Sequence, residues 1–176
     1  MPAHPPTTPY ASAAIALGSN VGDRAAHIAF AFDALSRLPR TKLVARGPVI
    51  ETPPLATPGI EPGGPYLNSA AIIQTMIPPR ELLDELHAIE LQRGRHRHAE
   101  WRWAPRTLDL DLLAYGDRVI TEKHLTVPHP RLHERLFVLE PLAAIAPDLV
   151  IPGKGRVADL LAALAPAPIQ AGRTLG

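Results

Sequence analysis

Thr107, Leu108, Asp109, Leu110, Asp111 and Leu112 alternate polar and apolar side chains without a break. A period of two is that of an extended strand. It places Asp109 and Asp111 on one face, roughly 6 to 7 Å apart along the backbone, and Leu108, Leu110 and Leu112 on the other. One face is therefore expected to be buried and the other acidic. Two carboxylates so spaced can hold a hard cation such as Mg²⁺, which uses few protein carboxylates and completes its shell with water and substrate phosphate. An acidic strand face turned to water is the plainer alternative.

The residues just upstream favour the cation. Arg93, Arg95, Arg97, Arg102 and Arg106 crowd the approach to the strand, and guanidinium groups match phosphate oxygens bidentately at any relevant pH. A metal with a polyphosphate accounts for both clusters together. This arginine segment has no apolar period and holds Trp101 and Trp103. It reads as a loop that closes over something flat. His96 and His98, and His129 and His133, are spaced for zinc but lack the glutamate partner of a zinc protease helix. No phosphate-binding P-loop or dinucleotide glycine motif is present.

Outward from that strand, Ala13 to Leu17 reads as a buried strand ending at Gly18, Ser19, Asn20. Asp23 can cap a helix from Arg24 to Leu38, with Ile28, Phe32 and Leu35 on one face. Lys42 to Ile50 reads as a strand, with Pro48 marking an edge or bulge. The segment from Pro53 to Pro65, with Gly59, Gly63 and Gly64, is a long loop of the kind that is usually functional. Tyr66 to Thr75 is a further strand. Pro79 opens a helix that runs to Gln92, with Gly94 just past its end. Tyr115, Gly116 and Asp117 form a turn after the acidic strand. Helices are expected over Arg131 to Ala146 and Val157 to Leu164. The order β, α, β, β, α, β predicts an α+β fold, a ferredoxin-like βαββαβ sandwich with additional C-terminal helices.

At 176 residues one domain is expected, over residues 11–166, with a proline-rich flexible start (1–10) and a flexible tail (167–176). The net charge of +1 gives no global field for nucleic acid or an anionic membrane. Cysteine is absent, which removes disulfides and thiolate metal sites. No signal peptide or anchor is read at the start. A soluble, cytoplasmic monomer is the expectation, with no nucleic-acid or membrane partner.

Several segments together resemble a known family: Leu17 to Asn20; Glu51 to Leu55; Tyr66, Leu67, Asn68; Gly94 to Arg97; Pro105 to Asp111; and Val127 to Pro130. They are similar to 6-hydroxymethyl-7,8-dihydropterin pyrophosphokinases of folate biosynthesis, over about Ala13 to Pro152. The resemblance implies a ferredoxin-like fold and transfer of pyrophosphate from ATP, as co-substrate, to the hydroxymethyl group of a reduced pterin, releasing AMP. It implies that Asp109 and Asp111 hold two Mg²⁺ ions. Arg95, Arg97 and Arg106, with His129 and Arg135, would hold the phosphates. Glu90, Leu112 and Thr126 would complete the ATP site. The pterin would lie between Tyr66 and Phe137, read by Asn68 and by Thr52, Pro53 and Leu55, under Trp103. Three features depart from the family's pattern: Ala104 in place of glycine, one additional residue near Trp101, and His124 where some members carry arginine. No general base for the pterin hydroxyl is evident. Substituting either aspartate is expected to abolish turnover and leave stability near its original value, because a like-charged neighbour is removed.

Overall fold

The computed structural model describes residues 9–54, 63–95 and 106–164. Its central sheet holds β1 (Ala11–Ser19), β2 (Thr41–Arg46), β3 (Ile50–Thr52), β4 (Tyr66–Thr75) and β5 (Asp109–Tyr115). The strand order is β2-β4-β1-β5, with β3 also pairing along β4. Every pairing is antiparallel. It follows that β1 and β2 run the same way with β4 between them, and β4 and β5 run the same way with β1 between them. The helices α1 (Arg24–Ser36) and α2 (Pro79–Gln92) make those two crossings.

Both faces of the sheet are covered, which is why its central strands read as continuous apolar runs and not as alternation. On one face Ile15, Leu17, Ile73, Leu108, Leu110 and Leu112 pack against Ile28, Phe32 and Leu35 of α1 and Leu82, Leu86 and Ile89 of α2. On the other, Ala14, Ala16, Ala70 and Ile72 pack beneath α3 (Leu136–Ile145) and α4 (Val157–Leu164), chiefly through Val138, Leu139, Leu142 and Val157. Small alanines on this second face let α3 approach closely. Asp23 caps α1 as expected, its carboxylate accepting the Ala26 N–H at 3.0 Å, and α2 and α4 have the expected bounds.

Three elements differ from expectation. The strand expected over Lys42 to Ile50 is two strands, broken where the Gly47 N–H turns to the Ala70 carbonyl at 2.7 Å. The helix expected from Arg131 is a single 3-10 turn, Leu132–Glu134, followed by an extended Arg135 before α3 begins. That break frees the start of α3 to pack independently on the sheet. After the turn at Gly116, a hairpin forms from β6 (Ile120–Glu122) and β7 (Leu125–Val127), and a second small hairpin, β8 (Val150–Ile151) with β9 (Gly155–Arg156), precedes α4. Leu55, Arg97 and Trp103, the histidines His96 and His98, most of both expected lid loops, and the expected tail lie outside the described residues. So does the expected flexible start, apart from Pro9 and Tyr10.

Candidate active site

Residues directly opposite one another on antiparallel strands point to the same face, so the strand register places the site. Thr52 faces Tyr66, Ile50 faces Asn68, Asn68 faces Gly18, and Gly18 faces Asp109. Two residues along, Ala70 faces Ala16 and Ala16 faces Asp111. One row across four strands thus runs Ile50, Asn68, Gly18, Asp109, on the same sheet face that α3 covers farther along. Gly18 and Ala16 are the floor between the polar edges. A Cβ on Gly18 would come within 3.2 Å of Asn68 Oδ1 and 3.9 Å of Asp109 Cβ, so a larger residue would intrude between the two sides. The same-face prediction for Asp109 and Asp111 therefore holds, with Leu108, Leu110 and Leu112 buried behind.

Asp109 is the centre of an ionic cluster. Arg95 Nη1 donates to its Oδ1 and Arg106 Nη1 to its Oδ2. Burial would push the Asp109 carboxyl up, but the two guanidinium groups outweigh it and hold the carboxyl below its ordinary range. Burial would likewise lower Arg106, and the Asp109 charge and hydrogen bond, helped by Tyr66 and Asp111, raise it instead. Arg106 is placed by its own backbone: its N–H donates to Asn20 Oδ1 at 2.7 Å and its carbonyl accepts the Asn20 N–H at 3.0 Å. Sequence reasoning gave Asn20 no site role. Its signal was the turn residue just past a buried strand, which can bond backbone on both sides.

On the α2 side, Glu90 is 1% exposed. Its Oε1 accepts the Leu110 N–H at 2.8 Å and Arg95 Nη1 at 2.8 Å, and Arg95 Nη1 also reaches the Leu108 carbonyl at 3.2 Å. Glu90 therefore stands behind the acidic strand, between it and the root of the arginine segment.

Asp111 opens onto a cleft of about 510 Å³ lined by Leu83 and His87 of α2, Leu112, the β6–β7 turn at His124, and Thr126 and His129. The expected nucleotide residues Leu112, Thr126 and His129 are brought together there; His87 was not anticipated. β5 carries a bulge just beyond the acidic pair, where the register slips and Leu113 is the additional residue. The Leu113 carbonyl accepts the His129 N–H at 2.8 Å, which fixes His129 at the edge of β5. Burial, with Arg135, lowers the His129 imidazole to about 4, and Arg131 and Lys154 add to this against Asp109. His129 Nδ1 accepts the Arg131 N–H at 3.1 Å, so the ring is neutral with its hydrogen on Nε2, ready to donate.

On the other side, Asn68 Nδ2 donates to Thr52 Oγ1 at 2.7 Å. Burial raises the Tyr66 phenol, and the charges that act on it are Arg106, Asp109 and Arg95, which puts its ring beside the ionic cluster. Phe137 packs partly buried on the α3 face with Arg135 over its ring at 5.7 Å. Arg24 closes the base of the proline-rich loop, donating to the Pro65 carbonyl at 2.7 Å and pairing with Glu51 at 2.9 Å.

Among the described residues no group of three or more His, Asp or Glu is arranged to hold a metal alone. A cation at Asp109 and Asp111 must then complete its shell with water and substrate oxygen, which is the habit of Mg²⁺. An ionised Asp109 suits that role, so the residues fit.

Similarity to known proteins points to a single family. The family described as 7,8-dihydro-6-hydroxymethylpterin-pyrophosphokinase (HPPK) matches residues 14–147. A 2-amino-4-hydroxy-6-hydroxymethyldihydropteridine pyrophosphokinase of Pseudomonas aeruginosa is 45% identical over 149 residues, covering 85% of this chain and 89% of that protein. One from Methylorubrum extorquens is 43% identical over 156 residues, covering 89% and 95%. The crystal structure of a Plasmodium falciparum HPPK-DHPS triple mutant with STZ-DHP is similar in fold, with a TM-score of 0.68 at 13% identity. That match covers 90% of this chain and 44% of the other, so this chain corresponds to less than half of that longer protein. With a family match across most of its length and close relatives along nearly all of theirs, the chain belongs to the 7,8-dihydro-6-hydroxymethylpterin-pyrophosphokinase (HPPK) family.

Proposed function

We propose that this protein transfers the terminal pyrophosphoryl group of ATP to the hydroxyl of 6-hydroxymethyl-7,8-dihydropterin, giving the pterin diphosphate and AMP in folate biosynthesis. The observation that carries the reading is the cross-strand row Asn68, Gly18, Asp109. It joins a hydrogen-bonding floor suited to a flat, polar ring to an acidic pair that opens on a cleft large enough for a nucleotide. Pyrophosphoryl transfer requires mainly alignment and charge neutralisation, with no covalent intermediate.

In this reading Asp109 and Asp111 hold Mg²⁺, two ions in all, which when bound neutralise the phosphate oxygens. Leu112, Thr126 and His129 form the wall of the nucleotide cleft, and neutral His129 donates from Nε2. Arg95, Arg97, Arg106 and Arg135 hold phosphate oxygens. Asn68, Thr52, Pro53 and Leu55 read the pterin's hydrogen-bonding edge, Tyr66 and Phe137 flank its ring, and Trp103 covers it. The loops on either side exclude water, which would otherwise compete with the alcohol. The strand order and crossings support a ferredoxin-like βαββαβ sheet extended by α3 and α4. The protein is proposed to work as a monomer in the cytoplasm, where its ATP co-substrate is made available. The test is AMP release from Mg-ATP with and without the reduced pterin. AMP formed only when the pterin is present supports the reading; ATP breakdown independent of the pterin, or no AMP in its presence, overturns it.

A further inference from the structure

We propose that Glu90 is a positioning residue, the pivot that keeps Arg95 at the site when Asp109 is claimed by a cation, and that it does not itself touch the nucleotide. This rests on the pyrophosphoryl-transfer reading above. β5 is the edge strand of the sheet, and the outward N–H of an edge strand ordinarily waits for water or another chain. Here the N–H of Leu110, midway between the two aspartates, is taken by Glu90 Oε1 at 2.8 Å. The same oxygen holds Arg95 Nη1 at 2.8 Å, and the Glu90 carbonyl accepts the Arg95 N–H at 3.2 Å. One residue thus grips Arg95 at both its backbone and its guanidinium, and grips the acidic strand as well.

A carboxylate 1% exposed is costly unless charge-paired and hydrogen-bonded, and an apolar side chain would pack in its place without that cost. Its position explains the retention. Arg95 divides its charge between Asp109 in front and Glu90 behind. When a cation takes Asp109, the front partner is withdrawn. Glu90 supplies the half of the pairing that persists, so the guanidinium stays beside the acidic strand, facing the incoming phosphates. Without the Glu90 charge, Arg95 would pair with Asp109 alone and compete harder with the metal.

The experiment uses Glu90→Gln, whose amide oxygen can still accept the Leu110 N–H while the charge is lost. Trp101 and Trp103 are the chain's two tryptophans, so intrinsic fluorescence reports on the arginine segment during Mg²⁺ titration with an unreactive ATP analogue. The expected result is a higher Mg²⁺ midpoint, kcat for AMP formation lowered roughly tenfold to 100-fold, and KM for the pterin within about twofold of its original value. Arg95→Ala removes the competitor and should lower the Mg²⁺ midpoint while also lowering kcat. In that background Glu90→Gln should add no further loss of kcat. An unchanged Mg²⁺ midpoint in either variant, or losses of kcat that multiply independently, overturns the pivot. Should Glu90→Gln fail to fold, Glu90→Asp, which keeps the charge but draws it back from Arg95, takes its place, and an unchanged Mg²⁺ midpoint in it overturns the pivot. A wild-type protein that makes no pterin-dependent AMP fails the functional reading instead, and that outcome is distinct from any shift in midpoint.

Discussion

Asp109 and Asp111 look equivalent in sequence and are not equivalent in structure. Asp109 has Arg95 on one oxygen and Arg106 on the other, while Asp111 opens on the cleft. Removing Asp109 takes a charged partner from two guanidinium groups, one of them on a side chain only 11% exposed. The sequence-based expectation that either alanine variant would keep its stability therefore needs revision for one of the two. Asp109→Ala should abolish turnover and also cost about 2 kcal/mol of stability, the scale of a lost charge-assisted pair in a partly buried setting. Asp111→Ala should abolish turnover as well. Urea unfolding of Asp109→Ala checks the stability cost, and a midpoint equal to that of the original protein would refute it. The pH dependence has a sign at each residue. Asp109, depressed in the folded state, contributes stability that is full above its unfolded pKa near 3.9 and is lost as pH falls through its lower folded value. His129 titrates near 6.5 when unfolded and about 4 when folded. Between those values the unfolded chain binds more protons, so stability should climb as pH rises from about 4 to about 6.5. In His129→Gln that part of the slope should be absent, measured by urea midpoints across the same range; an unaltered slope would place the titration on another group.

At the scale of elements, the parts legible in the sequence were those set by local patterning. The alternation around Asp109 gave a strand with its correct faces, Asp23 and Pro79 gave the starts of α1 and α2, and the apolar run Ala70 to Ile73 gave a strand, which the fold buries on both sides. What escaped was set by tertiary contact. The break between β2 and β3 depends on Gly47, whose N–H and carbonyl are taken by Ala70 and by the Ser69 hydroxyl at 2.7 and 2.9 Å. No local pattern announces a neighbour that lies 22 residues away in the chain. The bulge at Leu113 was invisible for a related reason, since an added residue in an apolar run changes no composition, yet it turns the Leu113 carbonyl to hold His129. The pairing of Glu90 with the Leu110 N–H likewise joins two elements whose spacing in sequence carries no signal. Gly47 offers a direct test of the tertiary argument. A Cβ there would meet the Ala70 carbonyl at 2.9 Å and the Pro141 carbonyl at 3.0 Å, and both are backbone, which cannot swing away. Gly47→Ala should therefore destabilise the protein by about 1 to 3 kcal/mol, the usual range for overpacking, read from the denaturant midpoint. A neutral result would mean that the junction of β2, β3 and α3 is looser than its geometry indicates.

For the whole molecule, the consequence of placing Arg95 and Arg106 on Asp109 is that metal and nucleotide binding must be coupled. In the ligand-free fold the charge of Asp109 is already balanced by protein cations, so a divalent ion arriving alone gains little from that carboxylate and must take it from guanidinium groups that lose that pairing. A polyphosphate changes the balance, because it offers the displaced arginines new oxygens while giving the cation further ligands. Each ligand therefore raises the affinity for the other by the same factor. The linkage is measurable without turnover. A ligand that binds only the folded state at a hundred times its dissociation constant stabilises it by about 2.7 kcal/mol, equivalent to a rise of several degrees in Tm for a chain of this size. Millimolar Mg²⁺ alone should thus leave Tm nearly unchanged, an unreactive ATP analogue alone should raise it modestly, and the two together should raise it by more than the sum. The excess should shrink in Asp109→Asn, where the charge that both the arginines and the cation seek is gone. Strictly additive shifts in the original protein would mean that the arginines and the metal do not compete for Asp109, and that the ionic cluster is a structural pairing separate from the chemistry.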